Sequence, residues 1–125
     1  MEWTVERERE AGFVRVVTSG EFTVDGHRGM IEDIITRPFW RPGTDVLFDH
    51  RQLDMSRANF RAMEQASESH MHNGDRIGDG KAAIVVRSQV DYGSARQFEM
   101  LTENHVNARL RVFMDAGEAE RWIRS

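Results

Sequence analysis

Apolar residues along this chain fall into two kinds of run, short β-branched stretches and longer segments with a three-to-four-residue spacing, and their alternation predicts the order of elements. Residues 2 to 9 read as a first strand, and Gly12 introduces a second, strongly β-branched one, Phe13-Val14-Arg15-Val16-Val17-Thr18. The two form an opening hairpin that turns near Glu10-Ala11-Gly12. Thr23 is placed to cap a helix that presents Met30, Ile31, Ile34 and Ile35 as one stripe, and Arg37-Pro38 stops it. Asp45 to Asp49 is the third strand, bounded by Pro42-Gly43; its centre, Val46-Leu47-Phe48, has no alternation and reads as buried on both faces.

A second helix follows, with Ser56 as its expected cap and Phe60, Met63, Ala66 and Ser67 on its inner face. Asn73 to Gly80 reads as a loop and Lys81 to Val86 as the next buried strand. Ser88 to Asp91 lead into a helix with Ala95, Phe98, Leu101 and His105 on one stripe. Arg109 to Met114 alternates polar and apolar, as an edge strand does, and Asp115 with Glu118 forms a capping box that opens a last helix burying Ala119, Trp122 and Ile123. The predicted order is ββαβαβαβα. It describes one α/β domain over residues 1–125, a mixed, mostly parallel five-stranded sheet with four helices and right-handed crossovers.

Composition removes several classes of function. Seventeen basic against twenty-one acidic residues leave a net charge of -4, so the chain offers no electrostatic footprint for nucleic acid. The absence of cysteine excludes thiolate nucleophiles, cysteine zinc sites and disulfides. No stretch approaches the ~18 apolar residues of a spanning helix, and the start lacks a signal-like apolar segment. A soluble, cytoplasmic protein with no membrane partner is expected.

Chemistry concentrates at the end of the third strand, in Asp49-His50-Arg51. An acid, an imidazole and a guanidinium could act together in acid-base catalysis, but neighbours on an extended segment point to opposite faces. Asp49 and Arg51 are therefore expected to pair, with His50 facing the other way. His70 and His72, near Asp75 and Asp79, have the wrong helical spacing for a zinc pair and read as a solvated helix end; His27 and His105 are isolated. Gly74 to Lys81 fails as a phosphate loop, because Ala82 and a strand follow the lysine. No cofactor and no metal is expected. Trp40, between two Arg-Pro pairs, either packs on the sheet edge as a lid or anchors a dimer contact, and Tyr92-Gly93 with Arg96 and Phe98 can border a small-molecule cleft.

The same residues carry a family resemblance. Val46 to Arg51, Ala83-Ile84-Val85-Val86, Tyr92 to Phe98, and Arg111 to Asp115 with Glu118, Ala119 and Trp122 together resemble the STAS-like superfamily that includes bacterial anti-sigma factor antagonists. The likeness spans essentially the whole chain and is greatest to small single-domain bacterial members of unassigned function. In the antagonists an Asp-Ser-Ser-Gly motif opens a helix and its second Ser is phosphorylated. The corresponding stretch here is Asp54-Met55-Ser56-Arg57, so the resemblance carries over Asp54 and Ser56 and lacks the first Ser and the Gly.

The expected function is a non-catalytic interaction or regulatory module, contacting a protein partner or a second copy through the turn of residues 49 to 57. Asp49, His50, Arg51, Asp54 and Ser56, with Trp40 and Tyr92, are its candidate residues. The alternative is a carrier or sensor of a small apolar ligand, with a cavity beneath Phe60, Met63 and Phe98. A small enzyme using Asp49, His50 and Arg51 ranks third.

Overall fold

A computed structural model describes all 125 residues. Strands β1 (Glu2–Glu8) and β2 (Phe13–Glu21) form the antiparallel hairpin, with Gly12 at a φ of 75° where a side chain would be strained. Strands β3 (Asp45–Asp54), β4 (Lys81–Val85) and β5 (Arg109–Phe113) each pair in parallel with the strand before, so the sheet order is simply β1-β2-β3-β4-β5. Helices α1 (Val24–Ile35), α2 (Phe60–His72), the single turn α3 (Gly74–Ile77), α4 (Gln89–Thr102) and α5 (Ala116–Arg124) fill the connections.

Side-chain alternation divides the strands between two cores. Val14, Val16, Val46, Phe48, Ala82, Ile84, Leu110 and Val112 face a large cluster completed by α1, α2 and α4. Phe13, Leu47, Ala83, Val85 and Phe113 face the other way, against Ala119 and Ile123 of α5. Three helices therefore roof one face of the sheet and a single short helix covers the other. The predicted caps of the first and last helices are in place: Thr23 Oγ1 accepts from Gly26 N, and Asp115 Oδ1 accepts from Glu118 N.

The structure corrects the reading around α2. Strand β3 runs five residues past Asp49, because β2 also continues and, after a bulge between Val17 and Ser19, pairs Ser19, Gly20 and Glu21 with Gln52, Leu53 and Asp54. Asp49-His50-Arg51 therefore lies within a strand and not in a loop. Ser56 does not cap α2. Its N–H donates to Asp54 Oδ1 in a local turn, while the Asn59 side chain accepts from Ala62 N and opens the helix three residues later. Phe60 is thereby the first residue of the helix, and it is 53% exposed although it was expected on the inner face. The 73–80 segment contains the turn α3, so there are five helices instead of four. Helix α4 ends at Thr102, leaving His105 beyond it and exposed.

The connector carrying Trp40 is pinned against that segment. Gly43 N donates to Ile77 O at 2.9 Å, and a Cβ on Gly78, whose φ is 82°, would fall 2.2 Å from Gly43 N. Trp40 lies beside this crossing, 8% exposed, and its Nε1 donates to Arg76 O at 2.8 Å. Of its two expected roles the packed one is found. A side chain enclosed to this degree offers no surface to a partner.

Candidate functional site

Alternation along β3 sends Asp49 and Arg51 to the α5 face and His50, with Phe48, to the three-helix face. Asp49 Oδ1 accepts from Arg51 N at 3.1 Å and from Nε at 2.9 Å, and Oδ2 accepts from Nη2 at 2.8 Å. Those bonds from Arg51 hold the Asp49 carboxyl below the ordinary carboxylate range. The Asp49 carboxylate makes its bonds to Arg51 and none to the His50 ring.

His50 has a different partner. Thr18 Oγ1 lies 2.6 Å from His50 Nδ1, and the Thr18 hydroxyl donates to Asp49 O at 3.2 Å. With the hydroxyl proton so used, the network assigns the imidazole proton to Nδ1, donating to Thr18, and leaves Nε2 with a free lone pair.

His50 lines a cavity of about 40 Å³ between the sheet and helices α1, α2 and α4. His27 of α1 and His70 of α2 line it too, among Phe22, Phe48, Phe98, Met30, Met55, Met63 and other apolar side chains; no Lys, Arg, Asp or Glu reaches it. Helical phase explains the two histidines. His27 precedes Met30 by three residues and Ile31 by four, and His70 follows Ser67 by three and Ala66 by four, so each extends its helix's buried stripe. Phe98 of α4 packs edge-on to both rings, with centroids 5.5 Å from His27 and 5.6 Å from His70.

These surroundings keep all three imidazoles neutral. Burial, assisted by repulsion from His70, His50 and Arg28, pulls His27 down to about 3. Burial alone takes His70 to about 4, and His50 falls to about 4 by burial that the Asp49 charge only partly offsets. His27 Nε2 and both ring nitrogens of His70 are buried without a hydrogen-bond partner. Each such group costs a fold about 1–3 kcal/mol, and a native structure that retains three beside one cavity calls for an explanation. A metal is not that explanation, since nowhere do three His, Asp or Glu side chains converge closely enough to hold one.

The other sequence-predicted residues are dispersed. Asp54 and Ser56 are exposed in the β3–α2 turn, while Met55 between them is buried and lines the cavity. Tyr92 is half-buried against the large core and does not reach the cavity, although Ala95 and Phe98 on the same helix do. His70, expected on a solvated helix end, is 3% exposed. The stripes read from the sequence begin at Met30 in the first helix and end at Ser67 in the second; continuing each by one turn reaches His27 and His70.

Helices α2 and α4 each follow a parallel strand, so both begin at the same edge of the sheet. Phe60 and Val90, in their first turns, are 53% and 78% exposed.

The architecture is that of the STAS-like class. An uncharacterised protein of the DUF3478 family from Shewanella loihica PV-4, whose crystal structure has a SpoIIAA-like fold, superposes with a TM-score of 0.61, covering 98% of this chain and 92% of that one. The two sequences are 16% identical, so the likeness establishes the SpoIIAA-like, or STAS-like, fold and nothing about activity. No protein-family model matches the chain, and no curated protein matches it. No helix is long and apolar enough to cross a membrane.

Proposed function

We propose that the chain is a non-catalytic STAS-like module that takes up a small, mostly apolar ligand in the cavity beneath α1, α2 and α4. The observation that carries this reading is a cavity with apolar walls into which three neutral histidines are gathered, two of them with unpartnered nitrogens. An apolar lining with a few convergent polar groups is the usual construction of a small-molecule site. Catalysis by Asp49, His50 and Arg51 has less support, because the strand separates the imidazole from an acid already paired with Arg51.

The volume sets a condition. At about 40 Å³ the cavity accepts a polar head of a few atoms, well short of the roughly 150 Å³ that holds a benzene ring. A longer ligand must displace part of the wall. Met30, Met55 and Met63 are suited to yield, being unbranched and adaptable, and Met55 sits on the turn between β3 and α2.

A second reading, contact with a protein partner or a second copy, is favoured by the exposed Phe60 and Val90 in the first turns of α2 and α4. The two readings are compatible, since a ligand that displaces Met55 moves the connection that leads into α2 and Phe60.

Methyl-selective NMR of the seven methionines tests the ligand reading, with 1-octanol as probe. Saturable shifts are expected at Met30, Met55 and Met63, with Met100 and Met114, which are exposed, unchanged. No saturable shift, or shifts confined to Met100 and Met114, would overturn it.

A further inference from the structure

We infer that the group recognised in this cavity is a neutral hydroxyl, acting as donor and acceptor at once between the imidazoles of His27 and His70. The inference rests on the ligand reading above and adds the chemical class of the ligand: an apolar alcohol or phenol, not an acid, an amine or a plain hydrocarbon.

The wall determines the choice. A neutral imidazole presents one N–H and one lone pair, and both nitrogens of His70 are unpartnered, so His70 alone offers one donor and one acceptor. His27 Nε2 adds another unpartnered site, and the Thr18 contact to His50 Nδ1 leaves His50 Nε2 as an acceptor. All three rings line the same space of about 40 Å³. A hydroxyl satisfies an acceptor and a donor together. An ether or ketone satisfies only N–H groups, and a hydrocarbon satisfies none.

Charged heads are disfavoured by what surrounds the cavity. No Lys or Arg lines it, so a carboxylate would have to draw a proton onto a buried imidazole. Arg28, on α1, disfavours charge on His27, and the carboxylate nearest His50, Asp49, is bonded to Arg51 on the opposite face. No Asp or Glu lines the cavity to receive an ammonium. Phe98, edge-on to both His27 and His70, keeps the space between them apolar apart from the ring nitrogens.

The test is a head-group series of constant chain size at pH 7.5: 1-octanol, heptyl methyl ether, octanoate and octylammonium, with affinities taken from the methionine methyl shifts. Octanol is expected to bind at least about tenfold more tightly than each of the others, the equivalent of one hydrogen bond or more. His27→Leu and His70→Leu should each bring octanol to within about threefold of the ether. Equal binding of octanol and ether to the wild-type protein would overturn the hydroxyl assignment and leave the cavity reading standing. Tighter binding of octanoate or octylammonium would do the same. Failure of all four to bind would remove both.

Discussion

Acidification from pH 6.5 to 4 is expected to remove on the order of 6 kcal/mol of folding stability through His27 and His70 alone. Their folded-state values of about 3 and about 4 lie below the ordinary 6.5, so over this interval the unfolded chain binds protons that the folded chain refuses. Stability therefore falls with pH, by about 1.4 kcal/mol per unit for each histidine, beginning near 6.5 and levelling off as each folded-state value is reached. His50, at about 4, acts in the same direction. A loss of this size is comparable with the whole stability of an ordinary domain, about 5–15 kcal/mol. The carboxylates held low in the folded state, Asp33, Asp49 and Asp54, begin to lose their contribution only below about pH 5, so they add to the loss near pH 4 but not between pH 7 and 5. Urea unfolding at pH 7, 6 and 5, followed by tryptophan fluorescence, should give a slope that steepens to roughly 2–4 kcal/mol per pH unit between pH 6 and 5. A flat profile would contradict buried, neutral imidazoles.

Replacing His70 by leucine is expected to stabilise the protein by about 1–3 kcal/mol at pH 7, against the usual direction of core substitutions. The side chain is 3% exposed beside Ala66, Met63 and Phe98, and neither ring nitrogen has a partner, so an aliphatic group of similar size removes a desolvation cost without opening a large void. The melting temperature should rise by several degrees, and the acid slope should fall by about 1.4 kcal/mol per pH unit as one titrating group is lost. A destabilisation of similar size would mean that the imidazole is satisfied in the folded protein, and the argument for a polar ligand would lose its basis. Stability forgone at a position that serves binding is a common trade in proteins, and this variant measures it directly.

Much of the fold is legible in the chain because its signals are local. The β-branched run at Phe13 to Thr18, the caps at Thr23 and Asp115 and the unbroken apolar strands at Val46 and Ala82 each place an element with little help from tertiary structure. The separation of His50 from Asp49 and Arg51 follows from strand alternation and is found as expected. The errors arise where a longer-range partner decides. The end of β3 depends on β2 continuing beside it past a bulge, which no property of Gln52 to Asp54 announces. The start of α2 depends on a choice between Ser56 and Asn59, both good caps; Asp54 takes the Ser56 N–H into a turn and passes the cap to Asn59.

The site was harder to read than the fold. Asp49, Arg51, Asp54 and Ser56 carry conspicuous functional groups, yet they form local pairs and turns at the surface or on the α5 face. His27 and His70 are 43 positions apart in sequence, and only the packing of α1 and α2 over the same strands brings them to one cavity. Their helical phase predicts burial but not proximity. Of the residues singled out at the end of β3, His50 alone belongs to the cavity, together with Met55 from the turn that follows.

The most direct test of this account is a crystal structure of the protein grown with 1-octanol. Ligand density is expected beneath α1, α2 and α4, with the hydroxyl within hydrogen-bonding distance of His27 Nε2 and a ring nitrogen of His70, and the chain displacing Met30, Met55 or Met63. Octanol bound only at the exposed edge of Phe60 and Val90, with the cavity walls unmoved, would contradict it.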